Sequence, residues 1–137
     1  AMLGGVSGHA GLFSDSKSLA ILMKMLLNGG VYNGVRYFKK ETITQFTSKQ
    51  SRDSRRGIGW DKPEFNRRYV NLASDYASTM CFGHSGFTGT MVWADPKYDL
   101  IYVFLSNRVY PSQENKKLLR QNVRTNIMDV IYESFLQ

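Results

Sequence analysis

The sequence predicts an α+β domain, an antiparallel sheet covered by helices, and three observations carry that expectation. Apolar residues recur at helical spacing near both ends: Leu19, Leu22, Met23, Leu26 and Leu27, then Leu119, Val123, Ile127, Val130, Ile131 and Phe135. Between them lie strand-like runs at 79–84, 88–94 and 100–106. The last two are joined by the turn-forming Asp95-Pro96-Lys97-Tyr98-Asp99, which makes an antiparallel meander, and no internal repeat interrupts the order.

Composition bounds the rest. With 137 residues, 42% of them hydrophobic and 13% aromatic, residues 1–137 are expected to form a single folded domain. No run approaches the ~18 apolar residues of a membrane span. The start, Ala1-Met2-Leu3-Gly4-Gly5, lacks the basic and apolar regions of a signal peptide. Ala1 ahead of Met2 looks appended, so the natural start is expected elsewhere. The single Cys81 excludes an intramolecular disulfide framework and a Cys-rich zinc site. Its apolar neighbours point to a buried thiol, and no adjoining basic residue would activate it. No cofactor and no metal are expected. The net charge of +7 is spread over pairs, Lys39-Lys40, Arg55-Arg56, Arg67-Arg68 and Lys116-Lys117, which reads as a solvated basic surface rather than a nucleic-acid interface.

Along the chain, Gly4-Gly5-Val6-Ser7-Gly8-His9-Ala10-Gly11 is a close-packed loop without a phosphate-binding signature. His9 could line a cleft there or satisfy the loop backbone. Ser14 is expected as the N-cap of the first helix with Asp15 in its first turn, and Asn28-Gly29-Gly30 stops that helix. Asn33-Gly34 marks a tight turn, and a short helix is expected over 41–46. The polar segment 48–56 leads to a short strand at Gly57-Ile58-Gly59-Trp60-Asp61, and 62–78 reads as an extended surface excursion. The run Leu100-Ile101-Tyr102-Val103-Phe104-Leu105-Ser106 is almost continuously apolar, so it wants cover on both faces and a neighbour on each side. Pro111-Ser112 opens a final helix, whose polar face is expected to carry Lys116, Arg120 and Arg124.

The stretch Cys81-Phe82-Gly83-His84-Ser85-Gly86-Phe87-Thr88-Gly89-Thr90 puts a histidine, hydroxyls and three glycines inside strand-like sequence. Glycine weakens a strand, so three of them imply a bulge, a bend or an edge that a ligand must approach. Read alone, His84 could equally cap a strand-edge bulge. Taken with Gly8-His9-Ala10-Gly11-Leu12-Phe13-Ser14 and Gly57-Ile58-Gly59-Trp60, the stretch resembles the C-terminal part of the penicillin-binding-protein-like serine hydrolases. That group comprises class C β-lactamases and related esterases and peptidases. The segment Leu105-Ser106-Asn107-Arg108-Val109-Tyr110-Pro111-Ser112 also resembles a subgroup fused behind a family-three glycoside hydrolase in exported cell-wall proteins.

The resemblance implies a partial β-lactamase/transpeptidase-like fold, a C-terminal fragment of a larger serine hydrolase domain. Such enzymes need a serine activated by a base and backbone N–H donors for the oxyanion. The family supplies these from Ser-x-x-Lys, Tyr-x-Asn and a Lys/His-Ser/Thr-Gly strand. By resemblance His84-Ser85-Gly86 is the third of these: His84 faces the base and substrate, Ser85 binds substrate polar groups, Gly86 gives clearance, and the Phe87 N–H forms half of the oxyanion hole. Ser14-Asp15-Ser16-Lys17 and Tyr69-Val70-Asn71 match the first two patterns formally. They are read as chance matches, the first because Ser14 is expected to cap a helix, so nucleophile and base are expected upstream and this chain alone is expected to be inactive.

Asn107, Ser112 and Asn115 fall where class C β-lactamases carry Asn-Lys-x-Tyr-Pro-Asn-x-x-Arg. Asn115 in place of that arginine removes bidentate carboxylate recognition, so efficient β-lactam hydrolysis is not expected. The resemblance further implies a small-molecule or peptidoglycan-like substrate, the N-terminal part of the same domain as partner, and an exported, periplasmic or cell-envelope location. Without its N-terminal strands the 100–106 run is expected to be an open apolar edge through which two copies associate. The alternative is a non-catalytic module that binds a cell-wall glycan or an acidic peptide.

Overall fold

In a computed structural model of the chain, residues 4–5 and 7–136 are described. Residues 1–3, read for a signal peptide, and Val6 of the glycine-rich loop lie outside them. The first helix, α1, spans Ser16–Leu27. Its N-cap is Asp15, not Ser14: the Asp15 carboxylate accepts from the Ser18 N–H at 2.9 Å and from the Ser18 hydroxyl at 2.8 Å. Those bonds hold the Asp15 carboxyl below its ordinary pKa. An ionised side chain with two ligands there outcompetes the neighbouring serine. The buried face of α1 is Met23, Met25 and Leu26, whereas Leu22 turns to solvent.

The two-residue strands β1 (Val31–Tyr32) and β2 (Val35–Arg36) form a hairpin around Asn33 and Gly34, both at positive φ. Helix α2 follows at Lys40–Thr47. The chain then runs without a named element to β3 (Phe82–Ser85), β4 (Met91–Asp95) and β5 (Leu100–Phe104). These form one antiparallel sheet in the order β3-β4-β5, with His84 opposite Val92 and Trp93 opposite Tyr102. The strand expected at 57–61 is instead a single bridge. Asp61 N–H donates to the Gly83 carbonyl at 2.7 Å and Gly83 N–H to the Asp61 carbonyl at 3.0 Å, on the edge of β3 that β4 leaves open.

Each face of the sheet has its own core. On one, α1 contributes Met23, Met25 and Leu26 against Phe82 and Ala94. On the other, Trp93, Met91 and Tyr102 pack with Ala73, Ala77 and Cys81 of the long connection and with Met128 and Tyr132. Burial pushes the Cys81 thiol well above its ordinary pKa, with Asp95 adding to the effect, so Cys81 is an unreactive core residue as the sequence implied. β5 is covered on both faces by these cores, but among the described residues it has a neighbour only in β4 and lies at the sheet edge.

The final helical region breaks in two, α3 (Lys117–Arg120) and α4 (Val123–Leu136), around Asn122 at φ 51°. The face of α4 that is buried is Arg124, Met128 and Tyr132. The expected apolar stripe is therefore corrected: Val130 is 64% exposed, and Arg124, assigned to the solvent face, is only 8% exposed. The reason lies in Asp95, a buried carboxylate ending β4. It accepts from Ser78 N–H (2.7 Å), Ser78 hydroxyl (2.5 Å), Lys97 N–H (3.0 Å) and Tyr132 hydroxyl (2.8 Å). Filling the Asp95 oxygens requires Tyr132 to point inward, and the 3.6-residue period then turns Met128 and Arg124 inward with it.

Tyr132→Phe removes one hydrogen bond to a buried carboxylate and is expected to cost about 1.5–3 kcal/mol in urea unfolding. Tyr76→Phe removes the exposed Tyr76 hydroxyl bond to Glu133 and should cost under about 1 kcal/mol. Equal costs for the two variants would show that Asp95 does not organise the docking of α4.

Candidate functional site

Strand β3 carries His84 and Ser85 to its C-terminal end, and strand alternation places them on opposite faces of the sheet. His84 lies on the α1 face in a hollow of about 200 Å³ that Leu19 and Leu105 also line. Both imidazole nitrogens are engaged. Nδ1 lies 2.9 Å from the Ser85 carbonyl, which can only accept, and Nε2 lies 3.2 Å from Arg56 Nη1, which can only donate. Both contacts are satisfied together by a neutral ring with its proton on Nδ1.

Arg56 reaches His84 because of Asp61, which is 2% exposed. The Asp61 carboxylate takes Arg55 Nε at 2.6 Å and Nη2 at 3.0 Å, a bidentate pair, with Arg56 Nη2 at 3.7 Å and the Lys62 N–H at 3.0 Å. Burial alone would raise the Asp61 pKa. The Arg55 hydrogen bonds, the charges of Arg55 and Arg56 and the Lys62 N–H outweigh it and hold the carboxyl below its ordinary value. Arg55-Arg56, read from sequence as solvated surface, is thus tied to the open edge of β3. No periodicity signals such a pair in irregular chain; only the acid beside the Gly57-Ile58-Gly59-Trp60 motif hinted at it.

Beyond β3 the chain turns tightly. Gly86 N–H donates to the Thr90 carbonyl at 2.8 Å, and a Cβ on Gly86 would collide with the Thr90 hydroxyl, so the clearance read for Gly86 serves this turn. Phe87 is 70% exposed, its ring lies 4.8 Å from the Arg108 guanidinium, and among the described residues its N–H meets no protein acceptor. Ser85, Gly86 and Phe87 line a pocket of about 420 Å³ together with Arg108 and Arg124.

Asn107, Ser112 and Asn115 line neither pocket. Ser112 Oγ accepts from Glu114 N–H and Asn115 Oδ1 from Lys117 N–H, both at 3.2 Å, so these two side chains shape the turn into α3. His9 is exposed and its Nδ1 lies 3.2 Å from the Ser7 hydroxyl, a local loop contact. Asn71 of the second formal motif accepts from Glu64 and Ala73 N–H, which makes it a loop organiser. Ser14 is exposed and, with Asp15 as the cap, holds no capping role. Among the described residues no hydrogen bond joins it to Lys17 and no metal-ligating cluster occurs. None of the described helices is long and apolar enough to cross a membrane.

Residues 1–126 match the family model described as Beta-lactamase. The chain is also 40% identical over 116 residues to proteins of Salmonella typhi, Salmonella paratyphi B and Salmonella newport, each named "Putative D-alanyl-D-alanine carboxypeptidase". The matched stretch is 85% of this chain but 27% of each relative, so the chain spans about a quarter of their length.

Because its folded pKa is depressed, Asp61 contributes stability that is present above the ordinary carboxyl pKa of about 3.9 and lost as pH falls through the lower folded value. Thermal melts of the parent chain and Asp61→Asn are therefore expected to differ most near neutral pH and to converge on acidification below about pH 4. A gap that stayed constant across that range would contradict the ionised Asp61–Arg55 pair.

Proposed function

The chain belongs to the beta-lactamase family, and from that premise we propose that it is the C-terminal portion of a serine acyl-hydrolase domain, carrying one wall of the active site. The observation that carries this reading is the open edge of β3: an exposed His84 and, just beyond it, a Phe87 N–H with no protein acceptor among the described residues. A backbone donor left unpaired just past a strand end is the kind of group an oxyanion needs. His84, with its Nδ1 engaged by the Ser85 carbonyl, would face the substrate as a hydrogen-bonding group. Once Arg56 swings away, His84 Nε2 would accept from a substrate N–H or hydroxyl, or from the protonated hydroxyl of the family's tyrosine. Ser85 and Gly86 would receive substrate polar atoms.

In this reading the nucleophile and base lie on chain outside these residues. Asn71 supports it, since it is committed to its loop and cannot complete a Tyr-x-Asn site. The substrate class is an amide or ester related to the cell wall, in keeping with the name of the carboxypeptidase relatives, and the location is the cell envelope. The remaining strands of the domain would pair along the free edge of β5.

The chain alone is expected to turn over neither a chromogenic cephalosporin nor a nitrophenyl ester, and Ser14→Ala should change nothing. In a whole-domain protein that hydrolyses the ester, His84→Ala should lower kcat by about 10²-fold, the scale of one positioned proton-transfer or hydrogen-bonding group. Robust turnover by the isolated chain, abolished by Ser14→Ala, would replace this reading with a complete miniature enzyme.

A further inference from the structure

The pocket behind β3 holds a charge that no described residue around it neutralises. Arg124 is 8% exposed, yet among the described residues no carboxylate lies within ion-pair distance of it or of Arg108. Its Nη1 donates to the Gly89 and Thr90 carbonyls, both at 3.3 Å, which accounts for its attachment to the hairpin. Among the described residues Nε and Nη2 have no protein partner, and the residue lines the pocket of about 420 Å³. Burial of the side chain, with the charge of Arg108 adding to it, disfavours the guanidinium's charged form, and the two free nitrogens reach solvent through the pocket, where an anion could meet them. Nε and Nη2 together form the fork that grips two oxygens of one anion.

The rest of the lining is not that of a plain anion site. Val70, Leu72, Leu118 and Leu119 form an apolar wall beside the two guanidiniums. A simple inorganic ion would leave that wall in contact with water, whereas an amphipathic anion would use both parts.

We propose that this pocket binds a carboxylate bearing a hydrocarbon group: Arg124 grips the carboxylate through Nε and Nη2, Arg108 adds a second positive contact, and the leucine-lined wall takes the hydrocarbon. The pocket shares Ser85, Gly86 and Phe87 with the proposed active-site wall, but hexanoate binding is read without turnover, so its failure and the failure of the acyl-hydrolase reading are distinguishable.

The test is calorimetric titration of the chain with hexanoate, with hexylamine, hexanol and inorganic phosphate in parallel, and mapping of amide shifts by NMR. Hexanoate is expected to saturate at one site and shift the amides of Leu118, Leu119 and Arg124, with hexylamine and hexanol silent and phosphate weaker. Arg108→Gln, at a half-exposed position whose loss leaves the cores intact, is expected to weaken hexanoate about tenfold. Arg124→Lys keeps the charge but removes the fork, and should weaken it similarly in a protein whose melt shows it folded. Absence of saturable hexanoate binding, or hexanoate affinity unchanged in Arg108→Gln, overturns the proposal. So does phosphate binding as tightly as hexanoate, which would mean an adventitious ion only.

Discussion

Asp61 is the constraint on which the rest of this surface depends. One residue joins the irregular middle of the chain to the sheet twice, through its backbone bridge to Gly83 and through a carboxylate that fixes Arg55 and draws in Arg56. The β3 position that carries this bridge must be glycine, because a Cβ there would collide with the Val92 carbonyl and the Trp93 ring of β4. The carboxylate needs Arg55, because an unpaired charge at that burial would be costly. Together they decide which group meets His84 and therefore which imidazole nitrogen holds the proton.

Asp95 does the corresponding work on the opposite face. By collecting Ser78, Lys97 and Tyr132 it closes the long connection over the sheet and sets the rotation of α4. That rotation delivers Arg124 to the pocket beneath β3. Burial pushes the Tyr132 phenol pKa upward, so it remains a donor to Asp95 throughout the range in which the protein folds. The two buried carboxylates thus place the two cationic features of the surface, Arg56 at the open edge and Arg124 behind it.

The strands and helices were largely legible because their apolar periodicity is strong, and the His84-Ser85-Gly86 stretch stood out because glycine is unexpected in strand sequence. The cap of α1 was misread because Ser14 and Asp15 are adjacent and both suit the position; only the Ser18 bonds distinguish them. The face of α4 was misread because Val130 and Ile127 outscore Arg124 and Tyr132 in hydrophobicity, while burial is decided by what Asp95 must bind. Arg56 was invisible as a site residue because a contact across irregular chain, 28 positions from His84, leaves no pattern in sequence.

The central claim is that Asp61, through the Arg55-Arg56 pair, fixes the orientation and tautomer of the His84 ring, with Nδ1–H donating to the Ser85 carbonyl and Nε2 accepting from Arg56. Long-range proton–nitrogen NMR of the imidazole at mildly alkaline pH reads the tautomer directly. The account predicts the Nδ1–H pattern in the parent chain and its loss in Asp61→Asn. An Nε2–H pattern in the parent, or an Nδ1–H pattern that survives Asp61→Asn unchanged, would contradict it.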